Sequence, residues 1–322
     1  MYKEIQAYKH LSFKRLIYDY LAEDLSINTE SVKNEYIRNK KIPLYKDRNS
    51  SKILYTSSVA LQVSNSQNRK VMELASDIAL HLSATCGDVF NIQIVPSGLI
   101  HFELTDSALG TWLQSLVGEM GRWGGGEMRE MGRWGGGEMR EMGRQGDKGT
   151  RGQGRRSHNQ CPMPNAQRPM PNLLFPIQHA HARCCSLVLL GHREGLIQLR
   201  EPQAKDSYSF GNLISPNPVP WLNGDGRLQF NQPDEYRLIG ELVGVVDNIE
   251  CPDIGGSVKW EKAAFNLSQA FEDFWRNCRI WGEVKIMSPE LAQARLGLLM
   301  ATQSVLKFIL EEKLKTCAPL DL

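Results

Sequence analysis

The chain has 322 residues, a length that accommodates two ordinary domains, and its 41% apolar and 23% charged residues exclude wholesale disorder and collagen-like structure. Lys and Arg number 38 against 36 Asp and Glu, a net charge of +2, so a large nonspecific grip on nucleic acid is not implied. No run of about 18 apolar residues exists to span a membrane, and the first 25 residues mix Lys3, Lys9, Lys14 and Arg15 with Asp19, Glu23 and Asp24, unlike a signal or transit peptide. A cytoplasmic location is expected.

Residues 1–117 read as an α+β domain. Phe13, Leu16, Ile17, Tyr20, Leu21 and Leu25 recur at helical spacing, as do Val71, Leu74, Ala75, Ile78, Ala79 and Leu82. Ile53–Tyr55 and Val59–Leu61 are too short to assign. The period then changes to two: Phe90, Ile92 and Ile94, a turn at Pro96-Ser97-Gly98, then Ile100, Phe102 and Leu104 predict a hairpin. Asp106 is placed to cap a helix carrying Leu109, Trp112, Leu113 and Leu116.

Residues 118–172 read as an insert. The unit at 119–129, EMGRWGGGEMR, returns identically at 130–140, and a Pro-rich repeat follows at 161–172. Identity at every position is unlike a repeat fold, in which only buried positions need to match. Gly is costly to order and Pro supplies no donor, so a disordered linker is expected. An Arg/Gly-rich RNA-binding tail with Trp123 and Trp134 as stacking residues is the alternative, opposed by six acidic residues among ten basic ones. A random coil of 55 residues spans about 40 Å, which allows the flanking blocks joint or independent engagement.

Residues 173–322 read as an all-α helical bundle. Pro176 opens a helix with Ile177, Ala180, Cys184, Leu187 and Val188 on one side. A proline-rich stretch with the turn signal Asn223-Gly224-Asp225-Gly226 follows. Pro233, Asp234 and Glu235 start a second helix with the stripe Leu238, Leu242, Val245, Val246 and Ile249. Ser257 is placed to cap a third, with Ala263, Leu267, Ala270, Phe271, Phe274 and Cys278. Ser288-Pro289-Glu290 starts a fourth, with Leu291, Ala294, Leu298, Val305 and Ile309.

The seven cysteines form no C-x-x-C pair and are expected as reduced, mostly buried thiols. The densest polar cluster is Gln178–Arg183. His179 and Arg183 share a helix face, and Gln178 and His181 share a neighbouring one. His179 and His181 point about 200° apart and cannot chelate one ion together. No cofactor or metal is implied. The cluster serves either as packing hydrogen bonds or as contacts to a ligand.

Residues Phe175–Ser186 resemble the Y-V-Q-Y-A-H-A-R-I-C-S segment of arginyl-tRNA synthetases, which opens their helical anticodon-binding domain, the DALR domain. Leu267–Cys278 resembles that family's L-A-x-x-F-x-x-F-Y-x-x-C, with Trp275 for Tyr. Ala294–Leu298 resembles its A-R-L-x-L, and Leu314–Leu322 its closing L-G-I-x-A-P-E-x-M. Ser58–Leu82 and Pro96–Phe102 are similar to the family's N-terminal additional domain. The chain contains no H-x-G-H, and Lys285–Pro289 imitates the K-M-S-K-S loop only inside the helical block, where it reads as a helix cap.

The resemblance implies a noncatalytic tRNA-binding protein, its partner a tRNA such as tRNA-Arg and a full-length synthetase a second partner. It implies anticodon contacts at Gln178, His179, Arg183, Trp275, Arg276 and Leu322, and a D-loop contact at His101. Arg295 is expected to make a hydrogen bond within the bundle. Residues 173–322 carry 15 basic and 18 acidic residues, which keeps open a protein-interaction module that no longer binds RNA. The family resemblance also leaves arginine–tRNA ligase activity as a third reading.

Overall fold

Phe13, Ile17, Leu21 and Leu25 fall every four residues, and their stripe is buried along helix α1 (Phe13–Asn28). The computed structural model describes residues 12–28, 42–47, 52–118, 173–200, 212–252, 254 and 257–322. The repeat insert from 119 onward, with Trp123, Trp134 and Cys161, lies outside the described residues. After α1 come β1 (Leu44–Lys46), β2 (Leu54–Ser57), α2 (Val59–Gln67), α3 (Val71–Cys86), β3 (Phe90–Ile94), β4 (Ile100–Leu104) and α4 (Asp106–Gly118).

The four strands pair antiparallel in the order β1-β2-β4-β3, with Phe102 opposite both Tyr55 and Ile92. The hairpin read from the period-two pattern is β3–β4. Its turn needs glycine: Gly98 has φ +80°, and a Cβ there would come within 2.2 Å of the Val71 side chain. Tyr55, Phe90, Ile100, Phe102 and Leu104 turn to the core. There the Phe13 ring meets Phe90 edge-on at 6.3 Å and Trp112 at 5.5 Å. The cap of α4 is Thr105 rather than Asp106. Thr105 Oγ1 accepts from the Ala108 N–H at 3.2 Å, while Asp106 Oδ2 reaches across to accept from the Leu228 N–H at 3.2 Å.

The second unit is helical: α5 (Leu174–Arg193), the short pair β5 (Gln198–Leu199) and β6 (Leu213–Ser215), α6 (Pro233–Glu250), α7 (Trp260–Asn277), α8 (Glu283–Met287) and α9 (Pro289–Phe308), closed by a π turn at Ile309–Lys313. Pro233 occupies the first turn of α6. Glu235 completes a capping box with Gln232. Helix α7 starts at Trp260, two residues beyond where a Ser257 cap would place it. Lys285 lies in α8, where its ammonium pairs with Glu194 at 2.6 Å.

Helix α9 departs from a one-sided stripe. Leu296, Leu299, Met300 and Leu306 are buried as fully as Leu298 and Val305, because α9 lies between α5 on one side and α4 of the first unit on the other. A helix covered on two flanks buries residues on both, here with Arg295 and Gln303 among the apolar ones.

The two units therefore touch directly instead of standing apart across the insert. One hydrophobic core runs from Phe13 and Tyr55 through Trp221 to Leu306. The proline-rich stretch before α6 supplies part of it, burying Val219, Trp221, Leu228 and Phe230. Trp221 wedges between α4 and α9, so close to Gly297 that a Cβ there would lie 2.6 Å from the indole. Its Nε1–H donates to Gln114 Oε1 at 3.0 Å. At a second place, Asp247 of α6 accepts from the Ser12 hydroxyl at 2.8 Å, the Lys14 N–H at 3.1 Å and the Tyr55 hydroxyl. Burial dominates and leaves the Asp247 carboxyl raised above its usual range, with the donors Tyr55, Lys14 and Ser12 and the Lys46 charge opposing.

Candidate nucleic-acid interface

Phe175, His179 and Arg183 lie four apart on α5 and form one stripe. It faces Ser268, Glu272 and Trp275 on α7. Toward the start of α5 the two stripes flank an open recess of about 280 Å³ lined by Phe175, Pro176, His179, Ser268, Gln269 and Glu272, just below the size of ligand-binding pockets. Phe175 is 61% exposed and lies 6.1 Å from the His179 ring at a 30° tilt. The other side of that imidazole faces a carboxylate, with Nδ1 3.4 Å from Glu272 Oε1.

One turn further along, the Arg183 guanidinium lies over the Trp275 ring, 5.2 Å from its centroid, and Trp281 meets Trp275 edge-on at 5.9 Å. Arg183 is exposed, so its guanidinium reaches solvent while lying within cation–π distance of the indole. Arg276 is 71% exposed and shares Asp273 with Arg237, at 3.5 and 2.6 Å. The result is a small basic edge along α6 and α7 beside the stacked pair.

The remaining sequence candidates fall elsewhere. Gln178 turns toward the C-terminal tail and donates its Nε2–H to the Cys317 carbonyl at 2.9 Å. His181 is buried beside it. The Pro319 carbonyl can only accept, so Nδ1–H donates to it at 2.7 Å and Nε2 accepts from Gln303 at 2.9 Å. Burial lowers the His181 pKa to about 4, with the Pro319 hydrogen bond opposing and the Lys307 charge adding. His179 and His181 thus face different surroundings.

Leu322 ends the tail and is 68% exposed. His101 belongs to the other unit, on the outward side of β4 between Thr56 and Gln93. Burial pushes Cys185 up to about 12 and Cys184 well above the usual thiol range, so both stay protonated. Phe175, Glu272 and Arg237 join the group without having been singled out in the sequence. Phe175 stands four residues before His179, and Glu272 lies on the same α7 face as Ser268 and Trp275. These spacings carried the signal.

Residues 228–311 match the family model of the DALR anticodon binding domain and form such a domain. Trp275 and Arg276 lie inside the match; α5, with His179 and Arg183, precedes it.

The chain is also similar to arginine–tRNA ligases. It is 29% identical over 149 residues to that of Synechococcus sp. (strain JA-3-3Ab), covering 46% of this chain and 22% of the relative. It is 26% identical over 137 residues to that of Gloeobacter violaceus, covering 42% and 20%, and 27% identical over 141 residues to that of Ruminiclostridium cellulolyticum, covering 44% and 21%. The chain thus spans about a fifth of the length of these relatives. No solved structure matches it. Among the described residues no helix is long and apolar enough to cross a membrane.

Proposed function

We propose that the chain is a cytoplasmic, noncatalytic tRNA-binding protein whose α5–α7 stripe receives unpaired bases of an anticodon loop. The observation that carries this reading is the exposed Arg183 guanidinium within cation–π distance of Trp275, next to the recess at Phe175 and His179. Single-stranded RNA is read by stacking splayed bases on aromatic rings or guanidinium planes and by hydrogen bonds to their edges. Arg183 offers the plane, Phe175 and His179 a second one, and Glu272 and Gln269 the hydrogen-bonding groups at the recess. Arg276 and Arg237 supply phosphate contacts, Leu322, at the end of the tail that Gln178 anchors, makes a further contact to the RNA, and His101 contacts a separate part of the same RNA. The DALR match supports an anticodon ligand, and similarity to arginine–tRNA ligases favours tRNA-Arg. The noncatalytic part rests on the missing H-x-G-H, since adenylate formation needs ATP and the amino acid held in an attack geometry. The protein would act beside a full-length synthetase.

A second reading is favoured by the charge balance: acidic residues outnumber basic ones in 173–322, and Glu272 lies in the stripe. In that reading the bundle docks a protein. A gel shift with total tRNA over a salt series distinguishes the two. Retarded tRNA is expected, with Arg183→Ala and Trp275→Ala each weakening binding roughly 10-fold, the scale of one lost stacked base. Equal binding by all three proteins, or none by the native chain, would overturn the RNA reading. Incubation with ATP, arginine and tRNA is expected to yield no arginyl-tRNA; a charged product would restore the ligase reading.

A further inference from the structure

We infer that the contact between the two units is a self-sufficient docking interface, so that residues 12–118 and 173–322 hold one another in one orientation without the connecting chain, with Asp247 as the positioning residue. This does not depend on what the protein binds.

The polar groups at the contact are divided between the units in a way that leaves each incomplete alone. The Asp247 carboxylate comes from α6 of the helical unit. Its donors, the Ser12 hydroxyl, the Lys14 N–H and the Tyr55 hydroxyl, all come from the first unit. Asp247 and Tyr55 are 4% and 0% exposed, so in the assembled chain the carboxyl depends on the first unit for its hydrogen bonds, and losing either side while the contact stays closed leaves the other unsatisfied.

The same division recurs at the second anchor. Gln114 Oε1 belongs to α4 and takes both the Trp221 Nε1–H and the Val219 N–H of the helical unit, at 3.0 and 2.9 Å. One polar anchor would permit rotation about itself. Two, on different elements of each unit, fix the orientation: α1 and β2 with α6 at Asp247, and α4 with the stretch before α6 at Gln114.

Small residues bring the backbones close enough for both anchors to form. Gly110 of α4 faces Leu222 and Trp221, where an added Cβ would already be at 3.3 and 3.4 Å. On α6, Gly240 and Gly244 open a groove, with Lys46 Nζ 3.9 and 3.8 Å from where their Cβ atoms would stand. That places a lysine of the first unit along α6 on the approach to the Asp247 carboxylate, whose charge it favours. An interface with a shared apolar core, two satisfied polar anchors and close backbone approach has the construction of a permanent contact rather than a passing one. The chain between α4 and α5 can then change length, as an 11-residue duplication changes it, without altering the contact.

The test is to nick the folded chain. A site-specific protease sequence placed after Gly146 is cleaved in the native protein, and the product is passed over a sizing column at micromolar concentration. The two fragments are expected to elute together at the size of the intact chain. In the nicked protein, Asp247→Ala and, independently, the wedge Gly110→Phe are expected to raise the dissociation constant of the fragments at least 10-fold, with the helical fragment's far-ultraviolet dichroism unchanged. Gly110→Phe lies on the first unit, so it remains informative if Asp247→Ala disturbs α6. Native fragments that separate would overturn the docking interface. Fragments that stay together with Asp247→Ala unaltered in affinity would overturn the role of Asp247.

Discussion

Replacing Arg295 with methionine is expected to destabilise the chain by about 3–5 kcal/mol, the scale for removing one partner of a buried ion pair. Arg295 and Glu235 are 4% and 0% exposed at the side chain, with Nε 2.6 Å from Oε1. The guanidinium also donates to the Arg279 carbonyl, tying the loop after α7 to α9. The other Glu235 oxygen accepts from the Asn231 and Gln232 N–H groups at 2.7 Å each, capping α6. Methionine fills much of the volume but leaves a carboxylate in the core. The α6 N-terminus offsets part of that charge, by up to about 2 kcal/mol, which favours the lower end of the range. Urea unfolding of Arg295→Met, Glu235→Gln and the double variant checks this, because the double variant removes the stranded charge and recovers part of the loss. A single-variant loss below about 1 kcal/mol, or strict additivity, would mean that the pair is not coupled.

Acid is expected to weaken the fold through His181. In the unfolded chain its imidazole titrates at 6.5, and in the folded chain at about 4. The folded form holds the neutral ring, so between these values the unfolded state binds more protons. The contribution is fully present above pH 6.5, declines as pH falls through that window, and reaches a loss of about 3 kcal/mol below pH 4. His181→Gln, which cannot titrate, is expected to flatten the fall in urea midpoint between pH 6.5 and 4 relative to the native chain. Since His181 holds the Pro319 carbonyl, amide exchange in the tail should rise first as the ring charges. An imidazole resonance titrating near 6.5 in the folded protein would contradict this.

The elements that could be read from sequence are those whose periodicity persists. Helices α1, α3, α6 and α7 each repeat an apolar stripe over at least 16 residues, and the β3–β4 hairpin alternates on both sides of a glycine turn. Strand β1, with three residues, and α2, with nine, are too short for any period to emerge. Helix α9 looked one-sided because nothing local announces that α4 covers its other flank. Trp221 was hidden among prolines, where no regular spacing marks a buried residue, and its partners Gln114 and Gly297 lie in distant segments.

The same division holds at the candidate interface. The i, i+4 spacing of Phe175, His179 and Arg183 follows from helix geometry alone. The seating of Arg183 on Trp275 joins two helices, and only the family resemblance had singled out both residues. Gln178 has its partner 139 residues away, at Cys317, beyond the reach of local pattern. Asp247 carried a signal that periodicity does not weigh: an acidic residue directly after the buried Val245 and Val246 requires donors from somewhere.

Chemical footprinting of tRNA-Arg at saturating protein tests the proposed function most directly. The expected result is protection of the anticodon loop by the native chain, lost with Arg183→Ala and with Trp275→Ala while both variants keep the native fold. Protection confined to the acceptor end, or an anticodon loop equally reactive with and without the protein, would contradict it.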